Sequence, residues 1–506
     1  MEKPQDKLRK ALLKALDAGY QLEPEGLKFL GALPGTVDPL EVVEAAIQEQ
    51  LRRDASVLSL PKSLLEEAAQ LSKPKLKPEP MPESVGPTWR PPAAEVEARV
   101  SVLLDPNKEG EDDPSLEGFV EYFRDRFRKT ERMLRRRTDA RDAIPIKEAR
   151  RASVNNPVKV IGMVTEKRER GNYIRLELED LEASIPALVP KNAERSLVVK
   201  AQAVLLDQVL CVAGFRAESG ILIVTDIVMP DLPDRRPTAS EEDVCAALIS
   251  DIHVGSRMFL GKAFDKFLQW LQGRAGSPEQ RSLAGRVKYL VVAGDLVDGI
   301  GVYPEQEREL VITDVYKQYE EVAKLLSHVP EHVEILVIPG NHDAVRQALP
   351  QPAIPRKYAE PLYGDPRIRM LGGPAWVELH GVRLLAYHGR SLDDVIGSVP
   401  SMSFQEPDAA MELLLKARHL CPSFGQRTPI SPQREDLLIV DRIPDIFQAG
   451  HIHVFRYRNY RGTLVVNSGA WQSQTVYQRK NGLNPVPGVI PVVNLKTMEV
   501  SATGFL

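Results

Sequence analysis

Residues 244–253 read VCAALISDIH, residues 289–295 YLVVAGD, residues 333–343 VEILVIPGNHD, residues 384–388 LLAYH and residues 445–453 DIFQAGHIH. Each is a short apolar run that ends in a residue able to bind a metal: Asp251 and His253, Asp295, Asn341 with His342 and Asp343, His388, and His451 with His453. Runs of this length and composition predict buried strands. The polar residues then emerge at carboxyl ends of strands, where open α/β sheets place their sites. Gly294, Gly340 and Gly450 directly precede the polar residues, which suits backbone that turns sharply and approaches an ion closely.

The order of oxygen and imidazole donors predicts a binuclear metal site with one bridging carboxylate. Mixed His, Asp and Asn donors suit manganese, iron or zinc. The absence of a cysteine cluster argues against a structural zinc site. Two ions roughly 3.5–4 Å apart supply the hydroxide and the charge compensation that phosphodiester hydrolysis needs at neutral pH. Each motif alone is unspecific, because an Asp at a strand end commonly caps a helix or turn. The set is more specific, since five of the nine histidines fall in it, leaving His328, His332, His380 and His419 as surface or packing residues.

The ordered set DxH, GD, GNHD, H and GHxH resembles the calcineurin-like metallophosphoesterase superfamily. GDLVDGIGVYPEQ at 294–306, IPGNHDAVRQALPQP at 338–352, YHGRSLDD at 387–394 and SGAWQSQTVYQ at 468–478 are similar to the family of small subunits of archaeal family D DNA polymerases. The resemblance implies a multidomain α/β protein whose phosphoesterase domain, an α/β sandwich over residues 240–506, is a 3′ to 5′ proofreading exonuclease. Carried over by motif, Asp251, His253 and His453 would hold one divalent ion, manganese foremost, and Asn341, His388 and His451 the other. Asp295 would bridge them. His342 would stabilise the pentacoordinate phosphorus or protonate the leaving oxygen. Asp343 would either orient His342 or cap a helix.

The same resemblance implies a large polymerase subunit as heterodimer partner, DNA with a single-stranded or mispaired 3′ end as substrate, and contact with a sliding clamp through the complex. No motif member is missing, whereas the related B subunits of eukaryotic replicative polymerases have lost the ligands; this weighs against a non-catalytic scaffold. A double-strand-break repair nuclease shares the ligands, but its phosphoesterase usually begins the chain. A phosphomonoesterase would fit the chemistry and leave the remaining domains without evident use.

With 506 residues, 43% of them hydrophobic, the chain can hold two or three domains. A net charge of −4 means that nucleic acid must be gripped locally. Cys211, Cys245 and Cys421 are far apart, two of them in apolar runs, so buried free thiols and a reducing compartment are expected. A charged amino terminus and the lack of a run of about 18 apolar residues predict a soluble, cytoplasmic protein with no membrane contact.

Ahead of the phosphoesterase, residues 1–55 predict a small helical domain, with Leu8, Leu12, Ala15 and Leu16 and then Val42, Ala46 and Ile47 at helical spacing. Residues 56–115 predict a flexible proline-rich linker in which Trp89 is the potential anchor for a partner. Residues 116–156 predict a basic helical connector, its aromatics packed and its arginines outward; this face is either solvated or a hold for phosphates. Residues 157–235 show five short strands and predict an OB-type barrel, poor in aromatics and hence more suited to docking than to base stacking. Residues 391–440 predict a lid or partner-facing surface, and 301–308 a substrate path. Gln306, Arg308 and Arg346 are the candidates for phosphate contact.

Overall fold

In the strand Cys245–Ile249 every side chain is buried, and alternate residues serve different cores. Ala246 and Leu248 face one apolar cluster, whereas Ala247 and Ile249 face another. A strand with two dry faces reads as an unbroken apolar run because the pleat sends successive side chains to opposite sides.

The structure, a computed structural model, describes residues 4–31, 39–53, 59–71, 89–107, 115–480 and 482–506. The chain divides into two compact units, Met1–Thr88 and Trp89–Leu506.

In the second unit, one six-stranded sheet runs Ile368–Met370, Glu334–Ile338, Val287–Ala293, Cys245–Ile249, Val489–Asn494, Val500–Gly504. The other runs Arg456–Tyr460, Thr463–Asn467, Ile446–Ala449, Val382–Ala386, Ala375–Leu379, Val100–Leu104. Leu248, Val291 and Ile338 of the first sheet meet Val377, Leu384 and Val466 of the second in one cluster. The helices Gly261–Leu271 and Val315–Leu326 cover the outer face of the first sheet through Phe264, Phe267, Tyr319 and Val322. Met411, Leu414 and Leu415 of the helix Pro407–Ala417 cover that of the second, against Leu385, Phe447 and Val465. The result is helix, sheet, sheet, helix, with the central strands of both sheets buried.

Strands Cys245–Ile249, Val287–Ala293 and Glu334–Ile338 are parallel neighbours, as are Val382–Ala386 and Ile446–Ala449. Their carboxyl ends therefore emerge together within each sheet. Residues 391–440, expected to be a lid or a partner-facing surface, contain the helices Leu392–Ser398 and Pro407–Ala417, which bury Ile396, Met411 and Leu414 in the outer layer. Apolar residues at helical spacing were present there, but only the second sheet supplies the surface that buries them.

Pro157–Arg170, Tyr173–Glu179, Ser184–Pro190, Leu222–Val228 and Val209–Arg216 close into a five-stranded barrel around Val160, Leu176, Ala187, Val212 and Val224. The helix Leu116–Arg135 precedes it, capped by Ser115, whose Oγ accepts from Gly118 N at 3.0 Å. The outward placement of the connector's arginines fails at Arg126, which is 1% exposed. Its guanidinium donates to Asp436 at 2.8 Å, to the Pro422 oxygen at 2.5 Å, to the Asp207 oxygen at 3.3 Å and to Tyr122 Oη at 3.2 Å. A buried charge is tolerated when paired and hydrogen-bonded in this way, and Asp436, 310 residues away, was not visible as the partner.

The linker expected over 56–115 also needs correction. Residues 72–88 and 108–114 lie outside the described residues. Lys62–Leu71 is a helix, and Val100–Leu104 is an edge strand paired antiparallel with Ala375–Leu379. Trp89 belongs to the folded part: a Cβ on Gly273 would fall 2.4 Å from its ring, so the bare glycine is its seat.

The first unit is helical, as its spacing predicted. Pro4–Asp17, Pro24–Gly31, Pro39–Arg53 and Lys62–Leu71 bury Ala11, Ala15, Leu30, Val42, Ala46 and Leu65. Three of these helices begin with proline, whose missing N–H costs nothing there. Leu16 is 60% exposed, and Ala11 takes its place on the buried face. Cys211, Cys245 and Cys421 are free and buried.

Candidate metal centre

The five loops at the strand ends bring Asp251, His253, Asp295, Asn341, His388, His451 and His453 together. His253 Nε2 lies 3.1 Å from His453 Nε2, and Asp251 Oδ1 lies 3.3 Å from His453 Nε2. Asp295 Oδ2 lies 3.3 Å from His388 Nε2 and 3.8 Å from His253 Nε2, so this carboxylate reaches both groups. Asn341 Oδ1 is 3.0 Å from His388 Nε2. Two triads, Asp251 with His253 and His453, and Asp295 with His388 and His451, each offer three donor atoms within 4.8 Å of one another.

Backbone conformation sharpens the picture. Asp251, His253, Asp295, His451 and His453 all have positive φ, between 53° and 68°. This left-handed region costs a non-glycine residue about 1–2 kcal/mol, and such strain persists where the surrounding structure enforces it, often at functional sites. The loops are also too crowded for side chains at all three preceding glycines, Gly294 included, where a Cβ would fall 2.7 Å from the Gly340 backbone. A Cβ on Gly340 would lie 2.1 Å from Asp295 Oδ1, and one on Gly450 2.4 Å from Asp251 Oδ2.

Hydrogen bonds fix the rings. His388 Nδ1 is 2.9 Å from the Ala293 carbonyl oxygen, to which it must donate, which leaves Nε2 turned toward Asp295 and Asn341. His253 Nδ1 is 3.1 Å from Asp298 Oδ1. Burial pushes His253 below its ordinary pKa, favouring a neutral ring that donates to Asp298 and keeps a lone pair on Nε2. Burial alone would raise Asp295, yet His388 and His342 hold it well below the usual carboxylate range. The counterpart is His388, which burial would depress but Asp295 lifts to about 9.

His342 is next to the donors. Its N–H donates to Asp295 Oδ1 at 2.8 Å, its ring meets His253 edge to face at 4.7 Å, and its Nδ1 donates to the Asp298 carbonyl oxygen at 2.8 Å. The orienting contact on His342 therefore comes from Asp298. Asp343, the sequence candidate for that task, is turned elsewhere. It accepts from Gly340 N at 2.8 Å, Leu296 N at 3.4 Å and Tyr319 Oη at 3.1 Å. Burial and the charge on Asp295 push Asp343 up to about 7. It braces the loops that carry Asp295 and Asn341.

Gln306 is 1% exposed and donates to the Asp298 carbonyl oxygen at 2.7 Å and to Asp298 Oδ2 at 3.0 Å, so it supports Asp298 rather than facing a substrate path. Arg308 is exposed and paired with Glu305 at 3.2 Å. Arg346 donates to the Pro350 oxygen at 2.6 and 3.1 Å.

Three residues had no role in the sequence reading. Asp298 joins His253, His342, Gln306 and, at 3.0 Å, Gln472. Asp393 Oδ2 lies 3.2 Å from His451 Nε2, and Gln478 Nε2 lies 3.0 Å from His453 Nδ1. All three sit inside the segments 294–306, 387–394 and 468–478, so their signal was proximity in sequence to the ligand motifs.

A third grouping, His253 with Asp298 and His342, also offers three donors. Its atoms are already committed to one another and to the Asp298 backbone, so it reads as support. The two triads instead bring carboxylate oxygens and imidazole nitrogens to within 4.8 Å of one another, a donor set that fits two divalent ions. Among the described residues no helix is long and apolar enough to cross a membrane.

The family model for the B subunit of DNA polymerase alpha/epsilon matches residues 246–456. The DNA polymerase II small subunit of Pyrococcus furiosus is 42% identical over 395 residues, 78% of this chain and 64% of that protein. The small subunit of Methanothermobacter thermautotrophicus is 42% identical over 382 residues, covering 75% of this chain and 78% of the relative. That of Archaeoglobus fulgidus is 44% identical over 379 residues, 75% of each. The chain thus spans just under two thirds of the Pyrococcus protein's length.

Proposed function

The chain belongs to the family of archaeal DNA polymerase II small subunits, and from that premise we propose that it is the 3′ to 5′ proofreading exonuclease of a family D replicative polymerase. It would work in a heterodimer whose large subunit carries the polymerase site, on DNA with a single-stranded or mispaired 3′ end, and reach a sliding clamp through the complex. The observation that supports hydrolysis most strongly is the pair of donor triads joined through Asp295, with His342 beside them.

Asp251, His253 and His453 would hold one ion, Asn341, His388 and His451 the other, and Asp295 both. When bound, two divalent ions, manganese foremost and iron or zinc as alternatives, supply Lewis acidity for water activation and neutralise phosphoryl charge. The protein's part is orientation. Ala293 and Asp298 fix the His388 and His253 rings so that Nε2 of each faces inward. His342, whose Nδ1–H donates to the Asp298 carbonyl oxygen, would as the imidazolium hydrogen-bond a phosphoryl oxygen through Nε2–H or give that proton to the leaving O3′. The water oxygen bonds to phosphorus, the P–O3′ bond breaks, and a 5′-mononucleotide leaves. Intact ligands weigh against a scaffold that only binds the polymerase. The calcineurin-like arrangement of the sandwich and the OB character of the barrel belong to the same reading.

The test is nucleotide release from an end-labelled, 3′-mispaired oligonucleotide with manganese, comparing wild type with Asp295→Asn and His342→Ala in complex with the large subunit. Stepwise 3′ shortening that both substitutions abolish supports the nuclease. No shortening by the wild-type complex refutes it in favour of the scaffold.

A further inference from the structure

The helix Leu116–Arg135 carries a feature that the metal centre does not use. Its inner face is fixed by Tyr122, Phe127, Thr130 and Leu134 and by the buried Arg126. On another face Arg128, Arg132 and Arg136 recur four residues apart. With Glu131 and Arg135 they line an open depression of about 460 Å³. Like charges at this spacing destabilise a helix, and the usual remedy is a carboxylate beside each. That remedy is largely absent here. Glu131 is committed to Arg135 at 2.8 Å and Arg128 reaches Glu121 only at 4.0 Å. Among the described residues no carboxylate lies within ion-pair distance of Arg132 or Arg136. The chain as a whole is acidic, at −4, so four arginines around one depression are a local exception.

We propose that this face binds the sugar–phosphate backbone of single-stranded nucleic acid, at a surface separate from the donor triads. The identity of that strand as the nuclease's DNA rests on the function proposed above; the affinity for phosphates does not. The residue type favours phosphate, because the planar guanidinium fork bonds two oxygens of one group and cannot lose its charge. So does the repeat. Successive arginines climb the helix by about 6 Å, a regular ladder suited to regularly repeated phosphates rather than to the irregular carboxylates of an acidic peptide. No aromatic residue lines the depression, so it would hold backbone without stacking bases, and binding should be indifferent to sequence.

The experiment is fluorescence anisotropy of a labelled single-stranded oligonucleotide between 50 and 200 mM salt. It compares wild type, Arg128→Gln/Arg132→Gln/Arg136→Gln and the same triple with Lys, each checked for unchanged melting. Each phosphate contact contributes about 0.7 to the slope of log affinity against log salt. The Gln triple should therefore lose about 2 from the slope, while the Lys triple keeps most of it. Equal slopes for wild type and the Gln triple overturn the proposal. So does a Gln triple that loses the large subunit while keeping the DNA slope, which would assign the face to a protein partner. A reduced slope beside a wild-type complex that cleaves nothing would uphold this site and refute the nuclease reading instead.

Discussion

His253 Nε2 lies 3.1 Å from His453 Nε2, although 200 residues separate them in the chain. Two neutral rings at that distance can share one proton, whereas a cation satisfies both lone pairs at once. With Asp251 3.3 Å from His453, the three could hold one ion. Manganese should raise the melting temperature of the wild type, the equivalent of about 2.7 kcal/mol at a hundredfold excess over Kd. His453→Ala should halve the bound metal measured by elemental analysis. An unchanged metal content in that variant would count decisively against the site.

Asp298 hydrogen-bonds the rings of both His253 and His342, and among the described residues no other residue does so for both rings. Asp298→Ala should cut metal affinity or turnover by about 10–100-fold, the usual cost of losing a carboxylate behind a ligand histidine. Asp393→Asn, acting on His451 alone, should weaken the binding of one ion and spare the other. Calorimetric titration with manganese separates the two outcomes; equal effects on both ions would disprove the assignment of Asp393.

Positive φ at His451 (68°) makes its backbone costly for any residue with a Cβ. In metal-free protein His451→Gly should therefore be more stable than His451→Ala by about 1 kcal/mol, despite glycine's greater freedom in the unfolded chain. Urea unfolding of the two variants measures this directly. Equal midpoints would mean that the loop relaxes.

The buried network of Arg126, Asp436 and His419 sets a pH dependence. His419 Nδ1 accepts from Cys421 N at 3.0 Å and its Nε2 meets Asp436 at 2.8 Å, so the ring is neutral with its proton on Nε2. Burial and Arg126 hold His419 below its ordinary pKa, and His419 and Arg126 hold Asp436 well below its own against the effect of burial. Both folded values are depressed, so their contribution to stability is present above the unfolded values, about 6.5 and 3.9, and is lost as pH falls. The melting temperature should hold above pH 7 and drop toward pH 5. His419→Gln should flatten that drop, and Arg126→Met, which strands Asp436, should cost about 3–5 kcal/mol at pH 7.5.

The metal-binding residue types and the strands that carry them were legible because each motif is local. A buried strand, a close-approach glycine and a donor occupy about ten residues, as in VEILVIPGNHD at 333–343. The five barrel strands were legible for the same reason, through alternation and punctuating glycines. Residues 391–440 were harder, because their apolar residues acquire a meaning only against Leu385 and Phe447.

By itself the sequence determined which side chains could bind metal, in what order they come, and that each stands at the end of a buried strand. Tertiary structure alone decided which of them meet and what holds them. Asp298 became the support of His342 while Asp343 became a loop brace, and Val100–Leu104 joined a sheet. Arg126 turned inward to Asp436. Those outcomes depend on hydrogen bonds and burial between segments up to 310 residues apart, and a hydrogen bond's geometry is set by where two backbones pass each other, which no local pattern encodes.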